Sequence, residues 1–227
     1  MRKMLLTRAL VDLLPATVED PGEIAAEAEM IAENYHETAA DSILANLPSD
    51  GRLWVFAFGS LILKPRFNHV ESRNATIEGW HRAFCIGPDT RYRGNPEAPG
   101  LMLSLDQGGR CEGIAFRLPT DNLRDDLLHL LRNEPPIPPV WVDAHTEGGP
   151  IRCIAHACPR DSPAFVGGLT PDEIADRLHV AVGMWGSMPD YLHYTVVHLE
   201  KMGIHDPDLW HMQELVAKRM EKMRANG

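Results

Sequence analysis

Apolar residues run without a break from Leu53 to Phe58 and stop at Gly59-Ser60. Aromatic and β-branched residues in a run of this length predict a strand. Residues 76–86 predict a second. Residues 101–105 and 113–118 flank Asp106-Gln107-Gly108-Gly109, and residues 140–145 and 151–158 flank Glu147-Gly148-Gly149. Both glycine pairs read as hairpin turns, because glycine takes the positive-φ positions that such turns need. Between the hairpins, Leu123, Leu127, Leu130 and Leu131 recur at helical spacing and predict one helix over 121–134, capped by Thr120. The last third is patterned for helices. Thr170-Pro171-Asp172-Glu173 joins a capping box to a proline at the first helical position. Ser187-Met188-Pro189-Asp190 and Asp206-Pro207-Asp208 mark two further starts. Strands joined by hairpins, with helices grouped around them, imply an α+β domain whose small sheet is mostly antiparallel and barrel-like, flanked by helices.

The first 47 residues stand apart. Pro21-Gly22 separates a short apolar start from an Ala/Glu-rich stretch over 23–45 with good helix propensity, and Pro48-Ser49-Asp50-Gly51 is a turn cluster. An N-terminal helical appendage over 1–47 and a main domain over 48–227 are therefore expected.

Composition narrows the class. With 44% hydrophobic and 24% charged residues the chain reads as an ordinary soluble globular protein. The balance of 22 Lys and Arg against 32 Asp and Glu argues against a nucleic-acid partner, which needs clustered cations for its phosphates. No run approaches the roughly 20 apolar residues of a membrane span. Arg8 and Asp12 break the apolar start too early for a signal peptide. Cys85, Cys111, Cys153 and Cys158 form no CxxC pair and lie in apolar contexts, so buried free thiols in a reducing cytoplasm are expected.

Two features carry chemistry. A strand that stops at Gly59-Ser60 exposes backbone N–H groups and a hydroxyl, a concave arrangement that can hold a carboxylate or phosphate; an ordinary tight turn is the plainer alternative. The second is Glu134, which continues the leucine stripe at i+7 from Leu127 and i+4 from Leu130, whereas Asp125, Asp126 and Arg132 fall on a solvated face. If the stripe still faces the core there, the carboxyl is desolvated, its pKa rises and it suits proton transfer; if the stripe has left the core, Glu134 is simply wet. Pro135-Pro136 ends the helix beside it. Ser60 lacks the G-x-S-x-G elbow of a hydrolase nucleophile, since Ile62 occupies the second glycine position. The 11 histidines give no metal spacing: His193 and His198 are five apart, and HExxH is absent.

Phe58-Gly59-Ser60-Leu61, Gly79-Trp80-His81-Arg82-Ala83-Phe84-Cys85, Arg93-Gly94, Pro99-Gly100, Cys111-Glu112-Gly113-Ile114-Ala115-Phe116-Arg117-Leu118-Pro119 and Pro189-Asp190-Tyr191-Leu192 occur in this order. Together they resemble the ChaC-type γ-glutamylcyclotransferases, which act on glutathione, from about residue 53 to about residue 220. The resemblance implies a γ-glutamylcyclotransferase-like fold and a small-molecule substrate, glutathione or a γ-glutamyl peptide. It implies Glu134 as the catalytic acid/base, with Phe58, Gly59, Ser60, Leu61, Arg93 and Tyr191 as substrate-binding residues and no metal or other cofactor. The family's turn is Tyr-Gly-Ser-Leu, so Phe58 lacks a hydroxyl here. Asn133 stands where an arginine usually precedes the glutamate, and Pro135-Pro136-Ile137-Pro138-Pro139 replaces aromatic and glycine residues. Two alternatives stay open: a member that binds a ligand or partner without turnover, and a cyclotransferase for another γ-glutamyl amine. The oligomeric state is not legible.

Overall fold

The structure is a computed structural model that describes residues 3–22 and 34–226. It divides into two compact units, Ile24–His81 with Leu105–Pro159, and Met1–Glu23 with Arg82–Ser104 and Arg160–Gly227.

The first unit is built on a barrel. Strands β1 (Trp54–Ala57), β2 (Glu71–Asp89), β3 (Gly100–Arg117), β4 (Pro139–Thr146) and β5 (Gly149–His156) close in the order β1-β3-β2-β4-β5. β1 pairs antiparallel with β3, Trp54 opposite Arg117 and Ala57 opposite Ile114. On its other side it pairs parallel with β5, Trp54 opposite Cys153 and Val55 opposite Ile154. β4 and β5 form the hairpin expected around Gly148-Gly149, Thr146 facing Gly149. Alternate residues point inward. Trp54 and Phe56 pack in the core with Ile77, Leu105 and Val142, and Ala75, Cys111, Ala115, Ala144, Cys153, Ala155 and Ala157 fill the space between them. Few strands make a narrow barrel, so large side chains are interleaved with small ones. All four cysteines are buried and free, as their contexts suggested.

The hairpin expected at Asp106-Gln107-Gly108-Gly109 is not formed. β3 runs straight through it as one strand of 18 residues. Gly108 and Gly109 do take positive φ, 104° and 69°, but as an irregularity within a paired strand, where the Gly108 carbonyl lies 3.0 Å from His81 Nδ1. A strand interior tolerates such glycines as a local bend.

Helices complete this unit: α2 (Tyr35–Ala45), the four-residue α3 (Ser60–Leu63) directly after β1, and α4 (Leu123–Arg132). The helix expected over 23–45 is present as α2; its earlier part, 23–33, lies outside the described residues. α4 is shorter than expected. It starts from Asn122 rather than Thr120, because the chain first turns at 121–122, and it stops at Arg132, with Asn133 as its C-cap. Leu127, Leu128, Leu130 and Leu131 are buried. Its outer face pairs with α2 through Arg124–Asp41 at 3.0 Å and Arg132–Glu37 at 2.7 Å.

In the second unit the N-terminal segment with α1 (Arg8–Val11) lies against two helices, α6 (Met188–Lys201) and α7 (Pro207–Asn226), and α5 (Pro171–Leu178) packs on α7. A two-residue hairpin, β6 (Val182–Gly183) and β7 (Gly186–Ser187), precedes α6. The expected caps are in place. Thr170 and Glu173 close a full capping box, Ser187 accepts from the Asp190 N–H, and Asp206 accepts from the N–H groups of Asp208 and Leu209. Buried Gln213 accepts the N–H groups of Leu5 and Leu6 on one oxygen, at 3.0 and 2.9 Å. Buried Arg82 pairs with Asp206 at 2.9 Å. Among the described residues no helix is long and apolar enough to cross a membrane.

Gly113 of β3 fixes how closely β1 is held. A methyl group there would lie 2.3 Å from the Ala57 carbonyl oxygen and 2.7 Å from the Phe56 ring. Gly113→Ala is therefore expected to destabilise the protein by about 1–3 kcal/mol or more, read as a lower urea midpoint at unchanged m-value. A variant as stable as wild type would mean that this contact is loose.

Candidate active site

The register of β1 decides what meets at one end of the barrel. Continuing its parallel pairing with β5 brings Ala57 level with His156. His156 in turn faces Pro139, the first residue of β4. The chain leaves β1 into Phe58-Gly59-Ser60-Leu61 at this end, and it enters β4 here from Glu134 and the proline run. The turn and the carboxylate that were singled out far apart in sequence thus flank the same barrel end.

In the turn, Phe58 is half-buried, Gly59 and Leu61 are buried and Ser60 is exposed. Gly59 has φ −133° and ψ −125°, so it is not the left-handed residue that its type allowed. It swings the strand directly into α3, whose first bonds run from the Ile62 N–H to the Gly59 carbonyl and from the Lys64 N–H to the Ser60 carbonyl. The N–H groups of Ser60 and Leu61 stand at the start of that turn, where helical backbone supplies no acceptor.

Glu134 lies two residues beyond α4, in the bend that Asn133 begins. The Asn133 side chain is turned back, donating to the His129 carbonyl at 2.7 Å. Beyond Glu134, the Ile137 N–H closes on the Pro135 carbonyl at 2.6 Å, and Ile137 is buried. The half-buried carboxyl is stripped of water by these surroundings. Burial pushes its pKa up to about 7, against the opposing pull of the Arg66 guanidinium. Of the two readings that the leucine stripe allowed, the desolvated one is found, although the residue sits past the helix rather than on it. His156, at the same end, is buried and carries an Nε2 without a hydrogen-bond partner; burial holds its pKa down near 4. Nothing in the sequence singled it out.

Arg93 and Tyr191 belong to the second unit and are brought together there: the guanidinium lies 5.1 Å from the centre of the Tyr191 ring. Both are half-buried. The backbone that carries Arg93 is gathered by buried Asp89, whose carboxylate accepts the N–H groups of Arg91, Tyr92 and Arg93 at 3.0, 2.9 and 2.6 Å. Asp89 was missed by sequence reasoning, though an Asp that opens a turn two to four residues before an arginine is a readable signal. Among the described residues no cluster of His, Cys, Asp or Glu is arranged to hold a metal ion.

A raised carboxyl pKa, the N–H groups at the start of a strand-to-helix turn and a small five-strand barrel together define a candidate acid/base site for a small substrate. Comparison with known proteins places the chain more closely. Residues 53–220 match the model of the ChaC-like protein family. The chain is 33% identical over 180 residues to the glutathione-specific γ-glutamylcyclotransferase of Escherichia coli (strain K12), covering 76% of this chain and 78% of that protein. It is 27% identical over 180 residues to the glutathione-specific γ-glutamylcyclotransferase 1 of Danio rerio, covering 76% and 91%. Its fold superposes on the crystal structure of a yeast γ-glutamylcyclotransferase specific to glutathione with a TM-score of 0.67 at 23% identity, over 74% of this chain and 96% of that one. The chain belongs to the ChaC-like protein family.

The raised pKa has a consequence for stability. The folded carboxyl binds its proton up to about pH 7, the unfolded one only up to about 4.3, so stability falls as pH rises between those values. Above pH 7 the full penalty of holding a desolvated carboxylate is present. Glu134→Gln removes it and is expected to unfold at higher temperature than wild type at pH 8, by an amount of up to about 3 kcal/mol, less as water reaches the carboxyl. At pH 4 the two proteins should melt together. Equal melting at both pH values would mean that Glu134 is solvated.

Proposed function

We propose that the protein is a γ-glutamylcyclotransferase that cleaves glutathione into 5-oxoproline and Cys-Gly, with Glu134 as general acid/base. The observation that carries this reading is the carboxyl of Glu134, poised near neutral pH at the end of the barrel where the Gly59-Ser60 turn opens. Family membership and the two relatives of similar length support it.

Glutathione carries its own nucleophile. The α-amine of its γ-glutamyl group attacks the γ-carbonyl carbon, a five-membered lactam closes, and the amide bond to cysteine breaks. Because the attack is intramolecular, the protein needs chiefly to hold a near-attack conformer and to carry protons from the attacking to the leaving nitrogen. Glu134 takes one proton from the α-ammonium, freeing the nitrogen lone pair, and returns it to the cysteine nitrogen as the tetrahedral intermediate collapses. The ring nitrogen sheds a second proton as it becomes the lactam N–H, and Glu134 relays that one in turn to the departing amine, which leaves as an ammonium. No water enters and no net proton is consumed. A group that serves as base and then acid works best with a pKa near the ambient pH, which burial gives Glu134.

The N–H groups of Ser60 and Leu61 receive the substrate's negative charge, either its α-carboxylate or the oxyanion of the intermediate. Phe58 offers only its ring, so binding at this turn rests on backbone groups. Arg93, steadied by the Tyr191 ring, pairs with a substrate carboxylate. Every step is carried by these residues and the substrate's own amine. The four buried free thiols fit a reducing compartment, and we place the protein in the cytoplasm.

Glu134→Gln keeps the shape of the side chain but cannot exchange a proton near neutral pH. With both transfers assigned to one group, its kcat for 5-oxoproline release from glutathione is expected to fall by about 10³-fold or more, with glutathione binding retained. A variant that keeps more than about a tenth of wild-type kcat would remove Glu134 from the proton path. Wild-type protein that binds glutathione yet releases no 5-oxoproline would instead identify a ligand-binding member of the family. Release of 5-oxoproline from another γ-glutamyl amine alone would relocate the substrate, a reading to which the proline run after Glu134 gives a structural basis.

A further inference from the structure

The N-terminal segment precedes the region that the ChaC-like family shares, which begins at residue 53. Its anchorage is at its start: Leu6 and Leu10 are fully buried, Gln213 holds the backbone of Leu5 and Leu6, and His193 Nδ1 lies 2.7 Å from the Leu6 carbonyl. The later part, residues 16–20, does something else. It lies against the two backbone stretches that determine where the Arg93 guanidinium sits.

Those stretches are the loop 89–93 and the hairpin 182–187. They are zipped together by the N–H groups of Met184 and Trp185, which donate to the carbonyls of Arg91 and Tyr92 at 2.9 and 2.8 Å. The fit is tight, since a methyl group on Gly183 would lie 2.3 Å from the Tyr92 carbonyl and 2.5 Å from the Arg93 nitrogen. The arm grips both partners. Asp20 takes the Arg91 guanidinium with both oxygens, at 2.8 and 2.9 Å. The Val18 N–H donates to the Gly183 carbonyl at 3.3 Å. The Ala16 carbonyl lies behind Gly186, on the residue whose other neighbour is Arg93 Nη1: a methyl group on Gly186 would be 3.5 Å from the first and 3.0 Å from the second.

We propose that residues 16–20 are a positioning strut for Arg93, with Asp20 its principal contact, so that the N-terminal arm tunes how tightly a substrate carboxylate is held. The inference rests on the reading of Arg93 as the carboxylate ligand. Asp20 does not touch the guanidinium of Arg93. It acts through Arg91, whose carbonyl is bonded to the hairpin and whose N–H shares the Asp89 carboxylate with that of Arg93. A carboxylate held equally in the ground and transition states changes KM and leaves kcat alone, so the strut should be visible in KM.

The test uses the full chain, with glutathione as probe and 5-oxoproline release as readout. Asp20→Lys reverses the charge facing Arg91 at an exposed position ten residues from the buried anchor. It is expected to raise KM by about three- to tenfold, with kcat within about twofold and the melting temperature unchanged, the scale of a strong exposed bidentate pair. Asp20→Glu restores the charge and should bring KM back to within about twofold of wild type. Arg93→Ala, measured beside them, is expected to raise KM by about tenfold or more. If Arg93→Ala raises KM and Asp20→Lys does not, the strut is refuted and the carboxylate reading stands. If neither changes KM, both fall. A fall in melting temperature with KM unchanged, or failure of Asp20→Glu to restore KM, shows Asp20 to be a structural contact and overturns the proposal.

Discussion

Four residues, Trp54 to Ala57, hold the barrel closed by pairing with β3 on one side and with β5 on the other. Everything proposed for the barrel unit depends on that double pairing. It fixes the register in which Ala57, His156 and Pro139 come level, and so it brings the Gly59-Ser60 turn and the Glu134 bend to one end. The constraint reaches down to single atoms. Gly113 has no side chain because the Ala57 carbonyl and the Phe56 ring occupy the space, and alanine and cysteine fit between the larger Trp54, Phe56, Ile77, Leu105 and Val142 of the core. A one-residue slip of β1 would put Val55 in place of those rings and turn the whole set outward.

The chemistry follows from a cost accepted at this end. A carboxyl held away from water by its neighbours is poorly stabilised as an anion, and Arg66 offsets only part of that. A fold under selection for stability alone would place a neutral residue here. The same desolvation that weakens the fold above neutral pH suits the group to the proton transfers proposed for it, the kind of trade between stability and activity found at many active sites.

What could be read in the sequence was whatever is local. The apolar run into Gly-Ser, the β4–β5 turn and the Thr170, Ser187 and Asp206 caps each depend on neighbours within a few residues, and each is found. The Gly108-Gly109 pair misled because a turn and a bend within a strand use the same positive-φ residues. The choice is made by β2, which pairs along β3 and keeps it extended, and that pairing is not encoded in the glycines themselves. For Glu134 the spacing allowed desolvation without deciding it, and it did not give the residue's place, since the helix gives way at Asn133 before reaching it. Asp89, a local turn opener, was readable but missed, whereas Asp20 was invisible as a partner. The Asp20–Arg91 pair joins residues 71 positions apart, and only the folded chain brings such groups into contact.

The central claim is that Glu134 is the proton carrier because burial has moved its pKa. It is tested most directly by the pH dependence of kcat/KM for 5-oxoproline formation from glutathione by the wild-type protein. The profile of kcat/KM reports groups on the free protein, and a base must be ionised to accept a proton. An acid limb is therefore expected near pH 7, with kcat/KM falling about tenfold for each unit below it. A profile that stays flat down to pH 5, with its limb near the ordinary carboxylate value of about 4.3, would contradict the account.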